Sequence, residues 1–351
     1  MNAPSLAFTP IAGCSATADA SLRERNTFRV AARTRLLVEV TDAAALPALF
    51  AQLHERFGDD VLVLGGGSNV LFTRDWPGAV VTPALRGISV VDEADGTALV
   101  RSAAGENWND FVHWTLAQGF KGLENLALIP GSVGAAPIQN IGAYGTEVSE
   151  FIAGVEVFDR SSGKRVLLDR DACAFGYRDS LFKRAPARYV VTSVDFALPR
   201  ERALRLDYAG VREELATTGV AAPDAGAVAA AVVRLRRRKL PDPALVGNAG
   251  SFFKNPVVAA ARAAALRDAH PGLPAWPGAD GRVKLSAAWL IESCDFKGLR
   301  ECDAGVSSQH ALVLVNHGEA NGAELFALAQ RVVAGVEARF GVRLEPEPVI
   351  V

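Results

Sequence analysis

Two hydrophobic patterns near the start of the chain predict a β-α-β unit. Residues 36–40 are a nearly unbroken apolar run, which predicts a strand, and residues 61–64 repeat this pattern. Between them, residues 43–57 carry apolar positions at helical spacing, and Asp42 before them is a residue type that caps helices. Gly58 is expected to end the helix. The apolar positions of the helix are Leu46, Leu49, Phe50 and Leu53.

Further along, short apolar segments predict strands and longer periodic segments predict helices. The predicted strands are residues 70–72, several between 79 and 104 with turns at Gly87 and Asp95-Gly96, and residues 154–159, 164–168, 189–198 and 311–316. The predicted helices are residues 108–117, 259–269, 286–293 and 322–340. Residues 203–240 are expected to form a strand, a turn and an alanine-rich helix with a basic end. Ordered structure is expected to begin near Asn26, and Leu240-Pro-Asp-Pro243 to open a further region.

Composition limits the partners and the compartment. The chain has 351 residues, half of them hydrophobic, and a net charge of −2, which gives no reason to expect nucleic acid or an anionic membrane as partner. No apolar run approaches the roughly 18 residues that a membrane-spanning helix needs. The four cysteines lack CxxC spacing, so no metal site is predicted, and reduced thiols in a cytoplasmic protein are expected.

A glycine-rich loop directly follows the second apolar run. It reads Gly65-Gly-Gly-Ser-Asn69. Glycines permit positive φ and allow successive N–H groups to converge on an anion. The loop differs from GxGxxG and is followed by a strand pattern rather than a helix pattern, which is not typical of a Rossmann dinucleotide site. Taken alone, the loop is equally compatible with a tight turn.

A second glycine-rich segment, residues 129–145, is more informative. Its small residues leave room for a bulky planar ligand to approach the backbone. Gln139 and Asn140 offer amide groups of the kind that bind the edge of an isoalloxazine ring. Apolar residues among them indicate a buried segment rather than an ordinary surface loop. The two segments together predict a cofactor that has both a pyrophosphate and a flat ring.

Five motifs, in this order, resemble those of the UDP-N-acetylenolpyruvoylglucosamine reductase family. They are the loop at 65–69, the Pro-Gly-Ser-Val-Gly…Gln-Asn-Ile-Gly-Ala-Tyr-Gly segment at 130–145, Tyr177-Arg-Asp-Ser180, Gly247-Asn-Ala-Gly-Ser-Phe-Phe-Lys-Asn-Pro256 and Leu344-Glu-Pro-Glu347. The Gly-Ser-Phe-Phe-Lys-Asn-Pro string is the most specific. The resemblance runs from about residue 26 to the C-terminus. The long second segment and the extra stretch around Tyr208 are similar to the type I branch of the family.

The resemblance implies an α+β chain. It combines an FAD-binding fold of the vanillyl-alcohol oxidase (PCMH) type with a C-terminal α/β substrate-binding domain. The implied division is a flexible leader at 1–25, FAD-binding subdomain 1 at 26–87 with 341–351, subdomain 2 at 88–235, and the substrate-binding domain at 236–340. FAD is expected to be extended and non-covalent. The residues implied to bind it are Gly65, Gly66, Gly67, Ser68, Asn69, Gly131, Ser132, Gly134, Gln139, Asn140, Gly142, Ala143, Tyr144 and Gly145.

The implied reaction converts UDP-N-acetylglucosamine enolpyruvate into UDP-N-acetylmuramate, a step of peptidoglycan precursor synthesis. NADPH reduces FAD, and hydride then passes to the vinyl carbon, so that negative charge develops as an enolate. By the motif matches, Ser251 is the proton donor, Arg178 binds the carboxylate and stabilises the enolate, and Glu347 is a second acid or electrostatic catalyst. Without the resemblance, Ser251 would be interpreted as a turn residue and Glu347 as an exposed glutamate.

The substrate positions of the family correspond here to Tyr208, Lys239, Asn255 and His310. Tyr208 and Lys239 are implied as diphosphate ligands. Most of the arginines in the run from Arg234 to Lys239 are expected to form a solvated helix end, with Lys239 as the exception. His310 departs from the glutamine of type I members, and Pro348 departs from the usual β-branched residue after the glutamate.

Two alternatives remain open from the sequence. One is another FAD-dependent oxidase or dehydrogenase on the same fold, and the other is a non-catalytic UDP-sugar-binding protein. Because no separate NADPH motif is visible, NADPH and the UDP-sugar are expected to use one pocket in turn. No obligate protein partner is implied.

Overall fold

The computed structural model describes residues 8–208, 210–219 and 222–351 of the chain. The chain divides into two compact units, each assembled from separate stretches of sequence. The first unit takes in the chain up to Ala20, Thr34–Gly66 and Trp76–Arg236. The second takes in Ser21–Arg33, Gly67–Asp75 and Arg237–Val351. No helix in the described residues is long and apolar enough to cross a bilayer.

The described residues contain strands and helices with the following bounds. The strands are β1 Cys14–Ser21, β2 Arg33–Val40, β3 Val61–Val63, β4 Val70–Leu71, β5 Trp76–Pro83, β6 Ile88–Ala94, β7 Thr97–Ala103, β8 Gly142–Ala143, β9 Thr146–Glu147, β10 Ile152–Asp159, β11 Lys164–Asp169, β12 Tyr189–Pro199, β13 Val257–Val258, β14 Ala275–Pro277, β15 Val283–Leu285, β16 Arg300–Glu301, β17 Ala304–Val306, β18 Leu314–Asn316 and β19 Val349–Ile350. The helices are α1 Leu46–Phe57, α2 Trp108–Ala117, α3 Leu181–Arg184, α4 Val211–Ala216, α5 Ala225–Lys239, α6 Ala260–Ala269, α7 Ala287–Glu292 and α8 Gly322–Phe340.

The predicted β-α-β unit forms the first sheet of the first unit. Its strand order is β1-β2-β5-β3, and β2 and β3 both run parallel to β5. The four apolar positions of the predicted helix are buried in α1 within the same hydrophobic cluster as β2, β3 and β5. A 3-10 turn precedes the helix, and the Asp42 carboxylate accepts a hydrogen bond from the N–H of Ala44 at 2.8 Å, as the capping pattern predicted.

The second sheet of the first unit is antiparallel, with strand order β11-β10-β12-β7-β6. Helices α2 and α5 contribute to its core, in which Trp108, Phe111 and Phe196 pack ring against ring. The edge strands β6 and β11 are mostly exposed. The hairpin turn predicted at 95–96 is confirmed, and a second turn at 160–163 joins β10 to β11. This sheet carries the second glycine-rich segment, which follows α2 in the chain.

The second unit is built on short sheets and the long helix α8. One sheet has the order β13-β15-β14, and another has the order β16-β17-β18 and lies against α8. Strand β4, which follows the first glycine-rich loop, pairs in parallel with β19 near the C-terminus. Because of this pairing, residues 67–75 belong to the second unit and not to the unit that contains the preceding strand β3.

Two sequence predictions are wrong. Ordered structure starts before Asn26, because residues 14–21 form β1 beside β2; this strand is largely exposed and has no apolar period that would reveal it. Residues 1–7 of the predicted leader lie outside the described residues. No strand forms in residues 203–207, which have no regular structure, and a short helix, α4, stands where a turn was predicted. The alanine-rich helix that follows is confirmed as α5.

Candidate active site

The two glycine-rich segments approach each other within the first unit. A Cβ atom on Gly66 would lie 2.8 Å from Gly131 Cα, and one on Gly65 would lie 2.8 Å from Ser132 Oγ. Real Cβ atoms do not approach so closely, so the two segments meet only because positions 65 and 66 have no side chain. Gly134 is enclosed in the same way, since its Cβ would lie 2.5 Å from Ala104 Cβ. The predicted cofactor segments therefore form one continuous backbone surface.

Only one glycine of the first loop needs a left-handed backbone. Gly67 has φ 62°, whereas Gly65 and Gly66 do not have positive φ. A Cβ on Gly67 would lie 1.9 Å from the carbonyl oxygen of Arg25, and the Gly67 carbonyl accepts the N–H of Thr27 at 3.1 Å. The expectation that three left-handed glycines would aim their N–H groups at one anion therefore needs correction. Gly65 and Gly66 serve close backbone approach instead.

The second segment ends in a tight hairpin, Gly142–Glu147, here called the cofactor hairpin. Strand β8 pairs with β9, and the two residues between them, Tyr144 and Gly145, have φ 47° and 80°. Two consecutive left-handed residues define a type I′ turn. A Cβ on Gly145 would have no atom within 4 Å, so the backbone of the turn is open on that side. The sequence did not reveal this hairpin, because tyrosine replaces the usual asparagine before the glycine.

The side chain of Asn140 is committed to the protein. Its amide nitrogen donates to Glu147 Oε2 at 2.9 Å and to the Gly176 carbonyl at 3.0 Å, and its Oδ1 accepts the N–H of Ser149 at 3.1 Å. The residue is 1% exposed. The predicted contact of this side chain with a flavin edge therefore needs correction, because Asn140 instead fixes the shape of the segment. Gln139 is half-buried, and its contact with the flavin edge stays a prediction.

Arg178 lies at the tip of a tight turn. Gly176 and Asp179 exchange backbone hydrogen bonds across it, and Arg178 has φ 54°. Its Nη2 donates to the Gly142 carbonyl at 2.7 Å, which places the guanidinium on the cofactor hairpin. Lys183 Nζ donates to the Arg178 carbonyl at 3.2 Å and thereby stabilises the turn. The structure therefore joins the predicted carboxylate ligand to the predicted cofactor segment.

These features fit an FAD. An extended dinucleotide needs backbone that it can approach without Cβ atoms in the way. Gly65 and Gly66 bring the first loop against the second segment, and the open Gly145 leaves the hairpin turn accessible. Ser132 and Gly134 lie in the short 3-10 turn of the second segment, and Ala143 and Tyr144 lie in the cofactor hairpin. Ser68 and Asn69, the last two residues of the first loop, belong to the second unit.

Ser251 lies in an extended segment of the second unit. It forms a β-bridge with Val313, and the next residue, Phe252, donates its N–H to the Leu312 carbonyl at 2.7 Å. Gly250 before it has φ 69° and a side on which a Cβ would meet no atom within 4 Å. Phe252 and Phe253 are buried behind it. The backbone at Ser251 is therefore fixed by strand pairing on one side and by two buried rings.

Glu347 is held beside the same segment. Its N–H donates to the Phe252 carbonyl at 2.7 Å, and its own carbonyl accepts from Asn69 Nδ2 at 3.2 Å. Val349 then donates to the Asn69 carbonyl at 3.0 Å. Pro348 fits between them because these bonds use the N–H groups of its two neighbours. Ser251 and Glu347 are thus brought together in the second unit, whereas Arg178 belongs to the first.

Asn248 is a structural residue of this region that the sequence analysis missed. It is 3% exposed, and its Oδ1 accepts the N–H of Gly250 at 2.9 Å. Its amide nitrogen donates to the carbonyls of Pro241 and Val246 at 3.0 and 2.8 Å. An asparagine between two small residues was a turn signal, and it forms such a turn directly before Ser251.

His310 and Lys239 lie close enough in the second unit to influence each other. Burial, followed by the charges of Lys239 and Lys297, lowers the pKa of His310, and Glu292 opposes this. The N–H of Leu312 donates to His310 Nδ1 at 3.3 Å, which requires the neutral ring to carry its proton on Nε2. His310 can therefore present an N–H donor, as the amide of a glutamine would.

Two other predicted substrate residues have partners in the protein. Tyr208 is half exposed, and its ring meets the edge of Tyr144 at a centroid distance of 5.1 Å in the first unit. Asn255 Oδ1 accepts the N–H of Ala287 at 3.0 Å at the start of α7. The side-chain oxygen of Asn255 thus has a structural role. The predicted contact with substrate would therefore be made by its amide nitrogen.

The basic end of α5 is not uniformly solvated. Arg237 and Arg238 are exposed, as expected, and Lys239, the predicted diphosphate ligand, is exposed as well. Arg234, however, pairs with the buried Glu214 at 2.6 Å. Arg236 donates from Nε to the Leu128 carbonyl at 3.2 Å, and burial lowers its pKa while Tyr144 opposes this. The expectation of a solvated end is therefore wrong for these two arginines, because each has a separate partner within the protein.

Comparison with known proteins identifies the class and then the family. An FAD binding domain model matches residues 34–169, and a model of the UDP-N-acetylenolpyruvoylglucosamine reductase C-terminal domain matches residues 242–351. The UDP-N-acetylenolpyruvoylglucosamine reductase of Xylella fastidiosa (strain M12) is 53% identical over 94% of this chain and 94% of its own length. That of Xanthomonas euvesicatoria pv. vesicatoria (strain 85-10) is 53% identical over 97% of each chain. A solved structure of the enzyme from Thermus caldophilus, at 24% identity and a TM-score of 0.65, covers 96% of this chain and 98% of that chain and shares its fold.

The FAD binding domain match and the identity to the two reductases define an FAD-dependent oxidoreductase, and the predicted α+β architecture with a C-terminal domain is confirmed. The particular family follows from the near full-length identity. The chain belongs to the UDP-N-acetylenolpyruvoylglucosamine reductase family. The resemblance stated from the motifs is therefore confirmed.

Proposed function

We propose that the chain reduces UDP-N-acetylglucosamine enolpyruvate to UDP-N-acetylmuramate with NADPH, in the cytoplasm, for peptidoglycan precursor synthesis. The observation that carries the proposal is the arrangement of the Ser251 segment, which is bonded to the Glu347 backbone and bridged to Val313. It supports the proposal because the backbone segments of the proposed proton donor, Ser251, and of the proposed second acid, Glu347, are bonded to each other. The full-length identity to reductases of this name supports the substrate.

The chain's own residues bind and orient the substrate. When bound, FAD supplies hydride transfer between NADPH and the enolpyruvyl group. Arg178, on the cofactor hairpin, binds the substrate carboxylate with its forked donors and stabilises the enolate charge that develops there. Tyr208, Lys239 and the Nε2–H donor of His310 bind the UDP-sugar. Arg236 adds a desolvated cation beside Tyr144.

Proton transfer is assigned to the second unit. Ser251 donates its hydroxyl proton to the carbon that carries the negative charge. A serine is a weak acid, so the alkoxide left on Oγ needs stabilising neighbours. Glu347 serves as the second acid or electrostatic group, and its backbone bonds to Phe252 and Asn69 fix where its side chain begins.

A direct test uses the purified protein. We expect a yellow protein whose colour is released by acid, bleached by NADPH and restored by the enolpyruvyl substrate. NADPH and substrate should compete, with ping-pong steady-state kinetics and substrate inhibition, because one pocket serves both. A stable ternary complex would contradict the shared pocket. Restoration by oxygen alone, with no response to the enolpyruvyl substrate, would support an oxidase of the same fold instead.

A further inference from the structure

A cluster of charged side chains joins the cofactor hairpin to the segment that carries Tyr208. The Glu150 cluster comprises Asn125, Glu150, Arg202 and Arg205. Arg205 contacts Glu150 with Nη1 and Nη2 at 2.7 Å each, and Arg202 Nη2 contacts Glu150 Oε2 at 3.0 Å. Glu150 Oε1 also accepts the N–H of Glu147, at the end of the hairpin, at 3.0 Å. One carboxylate therefore binds the hairpin and two arginines of residues 202–207.

A second link runs through backbone carbonyls. Arg205 Nη1 donates to the Gly145 carbonyl, at the tip of the hairpin, at 2.6 Å. Asn125, 1% exposed, donates from Nδ2 to the Tyr144 carbonyl at 3.0 Å and to the Arg205 carbonyl at 3.1 Å. Both residues of the hairpin turn are thus bonded to Arg205 or to its immediate support.

The segment that carries Tyr208 is supported by side-chain contacts, and its own Leu204 and Leu206 pack against the hydrophobic core of the first unit. Residues 202–207 form neither helix nor strand, so side chains and not a backbone ladder set their course. Tyr208 follows directly, and its half-exposed ring stands at 70° to the buried ring of Tyr144. Arg202 also covers the Phe151 ring at 4.6 Å. Beside the packing of Leu204 and Leu206, the position of Tyr208 therefore depends on the Glu150 cluster and on Tyr144.

We propose that Glu150 and Arg205 are positioning residues, which hold Tyr208 against the cofactor hairpin and so set the affinity for the nucleoside diphosphate of the substrate. This rests on the proposed function of Tyr208. Neither residue needs to touch the reacting carbon. Burial raises the pKa of Glu150, but the N–H of Glu147 and the two arginines outweigh it and keep the group ionised. The carboxylate therefore stays charged throughout the neutral range.

The experiment compares Arg205→Met with Arg165→Met. Arg165 pairs with Glu156 at 2.8 Å on β10 and β11, with side-chain exposures of 50% and 24% against 40% and 26% for the Arg205–Glu150 pair. Both variants lose one ion pair of similar exposure in the same unit. We expect the dissociation constant for UDP-N-acetylmuramate, measured by calorimetry, to rise about tenfold only in Arg205→Met. FAD content and Tm should match those of the control.

A double-mutant cycle separates positioning from general destabilisation. In a Tyr208→Ala background, Arg205→Met should weaken product binding no further, because the residue it positions is gone. Arg205→Lys should recover part of the affinity, since it keeps a donor for Glu150. Unchanged affinity in Arg205→Met, or an equal loss with and without Tyr208, would overturn the proposal.

Two further outcomes are distinguishable. If Arg205→Met does not fold, the isosteric Glu150→Gln carries the same expectation of about tenfold weaker binding and the same dependence on Tyr208. If the wild-type holoprotein neither binds UDP-N-acetylmuramate nor turns over the enolpyruvyl substrate, the proposed function itself is wrong and the positioning role falls with it. Wild-type binding with unaffected variants overturns the positioning role alone.

Discussion

The two regions that carry the candidate catalytic residues are held in place by different means. In the first unit, Arg178 sits on a left-handed turn, and side chains such as Asn140, Lys183 and Arg205 fix the surrounding loops. In the second unit, Ser251 and Glu347 lie in backbone ladders. A side chain held by a ladder can be changed with little movement of its neighbours. A loop held by side chains moves when one of them is lost.

The largest effect is expected at the backbone-held residue. Ser251→Ala should bleach with NADPH at nearly the normal rate but be reoxidised by substrate about 10²–10⁴-fold more slowly, the usual effect of losing a positioned acid. Because Ser251 is bonded through its backbone, FAD content and stability should hardly change. Stopped-flow flavin absorbance measures both half-reactions. Reoxidation as fast as in the wild type would show that Ser251 is only a turn residue.

Arg178→Lys should slow the same half-reaction by a smaller factor. A lysine keeps the charge but loses the fork that binds both carboxylate oxygens and the Gly142 carbonyl, which corresponds to roughly 10- to 100-fold in rate. Because side chains fix the loops of this region, a shift in FAD absorbance is also expected in Arg178→Lys. No such shift is expected in Ser251→Ala. The matched control is Arg184→Lys, whose guanidinium contacts Asp179 in the same turn. Equal slowing in both variants would point to the turn and not to the Arg178 side chain.

Gly134→Val and Gly66→Val should yield colourless protein, and the structure gives the reason. New Cβ atoms would meet Ala104 and Gly131 at 2.5 and 2.8 Å, so the two segments must separate. Overpacking of this kind costs about 1–3 kcal/mol of folding free energy. Flavin content and denaturant unfolding measure both effects. The control is Gly163→Val, in a hairpin turn of the same unit, where a new Cβ would strain the left-handed backbone but meet no atom within 4 Å. Full flavin occupancy in both variants would refute the cofactor surface.

The smallest effect concerns pH. The folded-state pKa of His310 is lowered, so the unfolded chain binds the proton more readily than the folded chain as pH falls through about 6.5. Stability should therefore decrease from pH 7.5 to 5.5, and His310→Gln should remove part of that decrease. Tm at the two pH values checks this. His317→Gln is the comparison, since its pKa is also lowered. An identical pH dependence in wild type and His310→Gln would exclude the contribution.

The sequence predicted those helices and strands in which apolar residues recur at a regular spacing. The apolar spacing of Leu46, Leu49 and Leu53 located α1, and α2 and α8 have the predicted bounds. The exposed β1 has no such period, and the pairing of β4 with β19 joins residues nearly 280 positions apart. Non-local pairing of this kind leaves no local pattern.

The site was predicted at the level of motifs and not of contacts. The motif resemblance implied the roles of Arg178 and Ser251, but only the folded chain shows that the amide of Asn140 bonds within the protein and that Arg236 bonds to the Leu128 carbonyl. Amide and guanidinium groups suit a ligand and a carbonyl equally well. Their partners are decided by tertiary distance, and that information is absent from any short string of residues.

The type I′ turn at Tyr144 links the folding stability of the chain to its substrate affinity. A left-handed backbone favours asparagine before glycine, and tyrosine at φ 47° is uncommon. Tyr144→Asn is therefore a candidate stabilising substitution that removes the ring meeting Tyr208. Selection for thermal tolerance alone would favour it, whereas selection for turnover would retain the tyrosine. The turn is thus a place where an engineered, more robust variant should be checked for lost substrate affinity.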